Sequence, residues 1–125
     1  MDENELSHRV IGLCIKIHRN LGPGLLESAY EEVMCYELTK SGLRYERQIG
    51  LPLVYQGVQM NMAYRLDVVV ENKLVLELKS VEQLLPINFK QLHTYLKLAD
   101  IRLGLLINFN EALIKNGIHR VVNAL

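Results

Sequence analysis

Apolar and polar positions alternate in a steady rhythm over Tyr64–Ser80, YRLDVVVENKLVLELKS. Leu66, Val68 and Val70 precede a polar break at Glu71-Asn72-Lys73, and Leu74, Leu76 and Leu78 follow it. Period-two alternation bounded by turn residues predicts a half-buried β-hairpin with these six side chains on one face. Arg65, Asp67, Val69, Val75, Glu77 and Lys79 then occupy the other face. Upstream the rhythm is helical. Leu6, Val10, Leu13, Cys14, Ile17 and Leu21 predict a mostly buried helix over Glu5–Asn20, widened by Ile11 and Ile15. Gly22-Pro23-Gly24 ends it, and a second helix is expected from about Leu25 to Lys40, with Leu26, Ala29, Val33 and Leu38 inward and Gly42 as its stop.

Arg44–Gln56 reads as a strand in which Pro52 implies an edge position or a bulge. Gly57 turns the chain into another strand that runs from near Val58 into the hairpin. After Ser80, Pro86 opens a third helix, Ile87–Leu98, with Phe89, Leu92 and Leu96 as its inward stripe. Leu103–Phe109 is a nearly unbroken apolar run, the mark of a strand buried on both faces. Strand, helix and buried strand in succession predict a right-handed crossover, with the last strand parallel to the hairpin's second. Gly117 then turns Ile118–Val122 back as an edge strand. The expected class is α/β at its border with α+β, a mixed sheet flanked by helices in one domain over residues 1–125.

Register decides what chemistry the hairpin can hold. With the loop centred on Asn72, Asp67 faces Glu77 and Arg65 faces Lys79. Directly opposed residues have Cβ atoms roughly 4.5–5.5 Å apart, and like charges there are destabilising. A one-residue slip would spoil the apolar face, so the hydrophobic pattern favours the centred register. A hard divalent cation would neutralise the acid pair, and such oxygen ligands suit magnesium. A solvated strand pair also carries mixed charge, and from the hairpin alone that plainer reading stands first. Glu27 alone likewise reads as a first-turn acid, and His18 as a capping or surface histidine near a helix C-terminus.

Composition narrows the choice a little. Of 125 residues half are hydrophobic and 22% charged, ordinary for a globular chain that can bury a real core. Net charge is zero, which argues against a broad electrostatic footprint for nucleic acid but leaves room for a local basic patch. Cys14 and Cys35 sit in apolar helical patterns and are expected as buried thiols rather than a disulfide. No signal-peptide pattern and no apolar run of membrane-spanning length occurs, so cytoplasm is the expected location.

Asp67, a turn, then Glu77-Leu78-Lys79 at the end of an apolar strand resembles the signature of the PD-(D/E)XK nuclease superfamily. More closely, the chain resembles the GxxExxY protein family within it, through Gly24-Leu25-Leu26-Glu27-Ser28-Ala29-Tyr30 and the blocks at Tyr64–Asp67, Val75–Lys79, Gln91–Lys97 and Gly104–Phe109. Gln91-x-x-x-Tyr95 is similar to the motif following Glu-x-Lys in RecB-like members. The resemblance implies a restriction-endonuclease-like αβββαβ core with an extra N-terminal helix and a C-terminal edge strand. It also implies magnesium-dependent hydrolysis of DNA, with Mn²⁺ able to substitute. Asp67, Glu77 and the Leu78 carbonyl become expected metal ligands, with Glu27 an additional ligand through water. Lys79 would orient or polarise the attacking water, and Gln91 and Tyr95 would hold the phosphate or that lysine. Arg65 is a lesser candidate for phosphate contact.

Two other readings remain open at this point. One is a catalytically silent module that binds nucleic acid or protein, motivated by the neutral charge and small size. The other is a structural partner subunit that uses Tyr36, Tyr45 and Tyr55 as an interface. A homodimer is expected because pairing would extend a short binding face.

Overall fold

The computed structural model describes residues 1–125, with the side chains of Met62 and Ala63 outside the description. Two helices, α1 (Glu3–Leu21) and α2 (Glu27–Lys40), precede three strands, β1 (Tyr45–Tyr55), β2 (Val58–Val70) and β3 (Leu74–Lys79). Then come α3 (Pro86–Ala99), β4 (Leu103–Asn108), a short 3-10 turn at Ile114–Gly117 and β5 (Ile118–Val122). The sheet has five strands in the order β1-β2-β3-β4-β5, antiparallel except for the parallel pair β3–β4. This is the expected mixed α/β sheet flanked by helices, with the restriction-endonuclease-like order of elements.

The sheet is covered on both sides. Leu6, Val10, Cys14 and Ile17 recur every three or four residues along α1, and Tyr30, Met34 and Leu38 every four along α2, with Cys35 beside them. These side chains pack on Val68, Val70, Leu74, Leu76, Leu78, Leu105 and Ile107. On the opposite face Leu92 and Leu96 of α3 cover Val69, Val75 and Leu106. Burial from both sides explains why β4 is apolar at nearly every position. The apolar stripe of α1 is narrower than expected, since Ile15 and Leu21 are exposed.

The second helix begins at Glu27 rather than near Leu25. Leu26 is its extended N-cap and is 76% exposed, so it does not serve as a core position. Tyr30 fixes the entry to the helix. Its hydroxyl donates to the Gly22 carbonyl at 2.6 Å and accepts the Leu25 N–H at 3.2 Å. Its ring stacks on Phe109 at 4.4 Å between centroids, tying α2 to the end of β4. His18 also reaches that end, pairing its Nε2 with the Glu111 carbonyl at 2.7 Å, and is half-buried rather than a surface group. Tyr45 packs against the core, while Tyr36 and Tyr55 are exposed.

Hairpin register follows the centred loop, with Val70 opposite Leu74, Val69 opposite Val75 and Val68 opposite Leu76. The pairing stops there. Beyond it β2 stays with β1 while β3 runs on beside β4 to Lys79, so the sheet forks. Arg65 therefore does not face Lys79; it pairs with Gly50 of β1 and is exposed. Leu66 also departs from expectation. It belongs with Val69 on the α3 side, whereas Val68 and Val70 face α1 and α2. Strict alternation fails at Asp67.

The hydroxyl of Tyr30 supplies the first prediction. Tyr30→Phe should lower stability by about 1–2 kcal/mol, the usual cost of losing buried hydrogen bonds while the stacked ring is kept. Urea denaturation would show it as a lower midpoint at unchanged slope. An unmoved midpoint would mean that the hydroxyl does not hold the Gly22–Leu25 turn.

Candidate functional site

Asp67 and Glu77 meet in the mouth of the fork. The Leu78 N–H donates to Asp67 Oδ2 at 2.9 Å, and the Asp67 N–H donates to Glu77 Oε1 at 3.4 Å. Side-chain oxygens thus accept backbone N–H groups just past the last paired residues of β2 and β3. Glu77 is 7% exposed, and Asp67 is half-buried at the edge of an open cleft. Neither acid is in a salt bridge among the described residues.

Burial is the first cause of the electrostatics here. It raises both carboxyls above their ordinary range, and the neighbouring Asp67 charge helps push Glu77 up to about 8. Half-buried Lys79, at the end of β3, works against the rise in both. Glu27 adds to it from the first turn of α2. Glu27 is anchored rather than free, because its Oε2 accepts the Ser80 N–H at 3.2 Å while Ser80 Oγ donates to the Leu25 carbonyl.

A cleft of about 310 Å³ opens between α2 and the fork, lined by Glu27, Ser28, Glu31, Gln48, Asp67 and Leu78. Asp67 looks into it, and Glu77 sits closer to α3. There the Tyr95 ring packs against Tyr64 at 5.5 Å, and burial first, then Glu77, raises the Tyr95 phenol. The phenol stays a neutral hydrogen-bond donor at ordinary pH. Gln91, four residues earlier on α3, is exposed one turn away. A larger cleft of about 540 Å³ lies at the other end of the hairpin, lined by Thr39, Arg44, Tyr45, Glu71 and Asn72 among others, and none of the expected site residues reach it.

Three nearby residues escaped the sequence reading. Glu31 is buried, accepting Arg47 Nη2 at 2.7 Å, Arg47 Nε at 3.1 Å and Gln48 Nε2 at 2.7 Å. Its spacing of four from Glu27 was an available signal, since such residues share a helix face. Gln48 carried no signal. Asn108, fully buried at the end of β4, accepts the Val81 N–H and donates to the Val81 carbonyl, fixing the chain as it leaves β3.

Among the described residues, no three His, Cys, Asp or Glu side chains come together as a ready metal cage. The donor set at the fork nonetheless fits a hard divalent cation. It offers two adjacent hard oxygen ligands, both unmatched by a cation within salt-bridge reach and both disfavoured as bare charges.

The model of the PD-(D/E)XK nuclease superfamily matches residues 4–121, nearly the whole chain. No curated protein and no solved structure gives a significant match.

The raised Glu77 carboxyl predicts a pH signature. In metal-free buffer the native state keeps a proton that the unfolded chain loses above its ordinary value of 4.5, so stability from this group is full below that value and falls as pH rises toward about 8. Glu77→Gln removes the dependence. Between pH 5 and 8 the stability difference should move in the variant's favour by about 2–4 kcal/mol, measured by urea denaturation with chelator present. Equal differences at both pH values would mean that the carboxyl ionises normally.

Proposed function

The chain belongs to the PD-(D/E)XK nuclease superfamily, and from that premise we propose that it is a magnesium-dependent nuclease hydrolysing DNA phosphodiester bonds in the cytoplasm. The observation that carries the reading is the meeting of Asp67 and Glu77 at the fork, where the Asp67 N–H donates to Glu77 and the Leu78 N–H donates to Asp67, with Lys79 two residues beyond Glu77 on β3. The finer resemblance is to the GxxExxY family, supported by Gly24, Glu27 and Tyr30. Mn²⁺ would substitute for Mg²⁺.

Asp67 and Glu77 would hold the cation with the Leu78 carbonyl, and Glu27 would join through water. A bound divalent ion supplies Lewis acidity, lowering the pKa of water and neutralising phosphate charge. The residues supply the rest. Lys79 orients the attacking water and stabilises negative charge as it grows on the phosphate oxygens. Tyr95, kept neutral by its surroundings, donates toward the phosphate, with Gln91 beside it on α3. The Leu78 N–H keeps Asp67 in one orientation, so little reorganisation accompanies reaction. Glu77 lies deep while Asp67 and Lys79 are half-buried, and Asp67 lines the open cleft, which suits a backbone approaching from the cleft side. With no net charge to draw a duplex in, contact rests on this local set. A homodimer would lengthen the gripping face, and a monomer by light scattering would remove that part of the reading.

Purified protein should cleave single-stranded, duplex or branched DNA with Mg²⁺ or Mn²⁺ and not with chelator. Asp67→Ala and Lys79→Ala should each lower the rate by about a hundredfold or more, the usual scale for losing one electrostatic contributor. If wild type and both variants behave alike, a binding module on the same fold replaces the enzyme. Calorimetry with Mn²⁺ gives a separate check. One site should appear in wild type and vanish in Glu77→Ala, and unchanged affinity would rule out the ligand assignment.

A further inference from the structure

β1 and β2 change faces at the same place. Tyr45 and Arg47 look toward α1 and α2, yet Ile49 and Leu51 pack on the α3 side. On β2, Val70 and Val68 look toward α1 and α2, yet Leu66 packs with α3. Register is unchanged across the switch, with Arg47 opposite Val68 and Ile49 opposite Leu66, but Gln48 and Asp67 between them do not pair. Gln48 adopts φ 51°, a strained left-handed conformation that a glutamine rarely takes. α2 holds it there. Glu31 accepts the Gln48 amide on one carboxylate oxygen and the Arg47 guanidinium on the other, so both residues at the turning point are clamped by one buried acid.

Regular alternation would put Asp67 on the same side as Val69, in the apolar layer under α3. With the switch, it opens on the cleft with Gln48 and Glu31 and accepts the Leu78 N–H. We propose that Gln48 is a positioning residue whose left-handed backbone turns Asp67 out of the α3-side core and into the fork, the Glu31 clamp serving to offset the strain that a non-glycine residue meets there. Its bearing on catalysis rests on the nuclease reading above; its bearing on the geometry of Asp67 does not.

Three substitutions separate backbone from side chain. Gln48→Gly accepts the left-handed conformation and lacks the amide. Gln48→Val, β-branched, resists it strongly, and Gln48→Ala resists it mildly. The first readout is hydrogen exchange at the Leu78 amide in metal-free protein, which reports the bond to Asp67 with no need for turnover. Protection relative to Leu76 should be kept in Gln48→Gly and lost by about tenfold or more in Gln48→Val, as expected for a bond worth at least 1.4 kcal/mol. In turnover, Gln48→Val should lose about a hundredfold in kcat with KM for DNA little changed, while Gln48→Gly stays near wild type. Should Gln48→Val fail to fold, Gln48→Ala must show the same pattern at smaller size. Equal Leu78 protection in all variants overturns the proposal. So does equal impairment of Gln48→Gly and Gln48→Val, since the amide rather than the backbone would then matter. A wild type that cleaves nothing refutes the nuclease reading and leaves the exchange result to decide this one.

Discussion

The fork between β2 and β3 is the constraint from which the site follows. Two strands that paired along their whole length would hold Asp67 and Glu77 as a cross-strand pair of like charges. Here they pair over only three positions and then part, one staying with β1 and the other with β4. The N–H groups of Asp67 and Leu78 turn to carboxylate oxygens, and the oxygens gain donors that water would otherwise supply. A buried acid pair is tolerable because the backbone has been opened around it.

Helices on both faces make that opening stable. α1 and α2 seal one side with a single apolar cluster, and α3 seals the other with a second, so strands that diverge remain buried. α2 and α3 also bring polar groups to the gap. α2 contributes Glu27, bound to Ser80, and Glu31, bound to Gln48, while α3 contributes Tyr95 beside Glu77. Asn108 and the Tyr30–Phe109 stack fix β4 and the chain around it, so these contributions are aimed from a rigid frame.

Much of this was legible in the residues. The register of the hairpin followed from six apolar positions and a three-residue break, and the buried strand from an unbroken apolar run. Pro52 marked a real irregularity, since the β1–β2 register shifts between Pro52 and Val54 at the edge of the sheet. What stayed hidden shares one cause. The face change at Gln48 and Asp67 leaves Leu66 apolar and inward on either reading, because both faces of the sheet are covered and both want a leucine. Sequence periodicity reports burial, not which helix does the burying. Glu31 was missed for a related reason: a glutamate reads as solvated unless its partners are known, and Arg47 and Gln48 lie sixteen and seventeen residues away.

The buried acids have a further meaning for how such a chain changes over time. Exchanging a buried ionic group for a well-packed apolar one is often neutral or favourable by about 1–4 kcal/mol. Glu77 is in no ion pair among the described residues, however: it stands between buried Leu76 and Leu78 and alongside Leu106, and its carboxylate accepts the Asp67 N–H. A descendant with leucine in that gap would gain apolar contact and lose the acceptor of the Asp67 N–H, so the exchange turns favourable only where β2 closes back on β3.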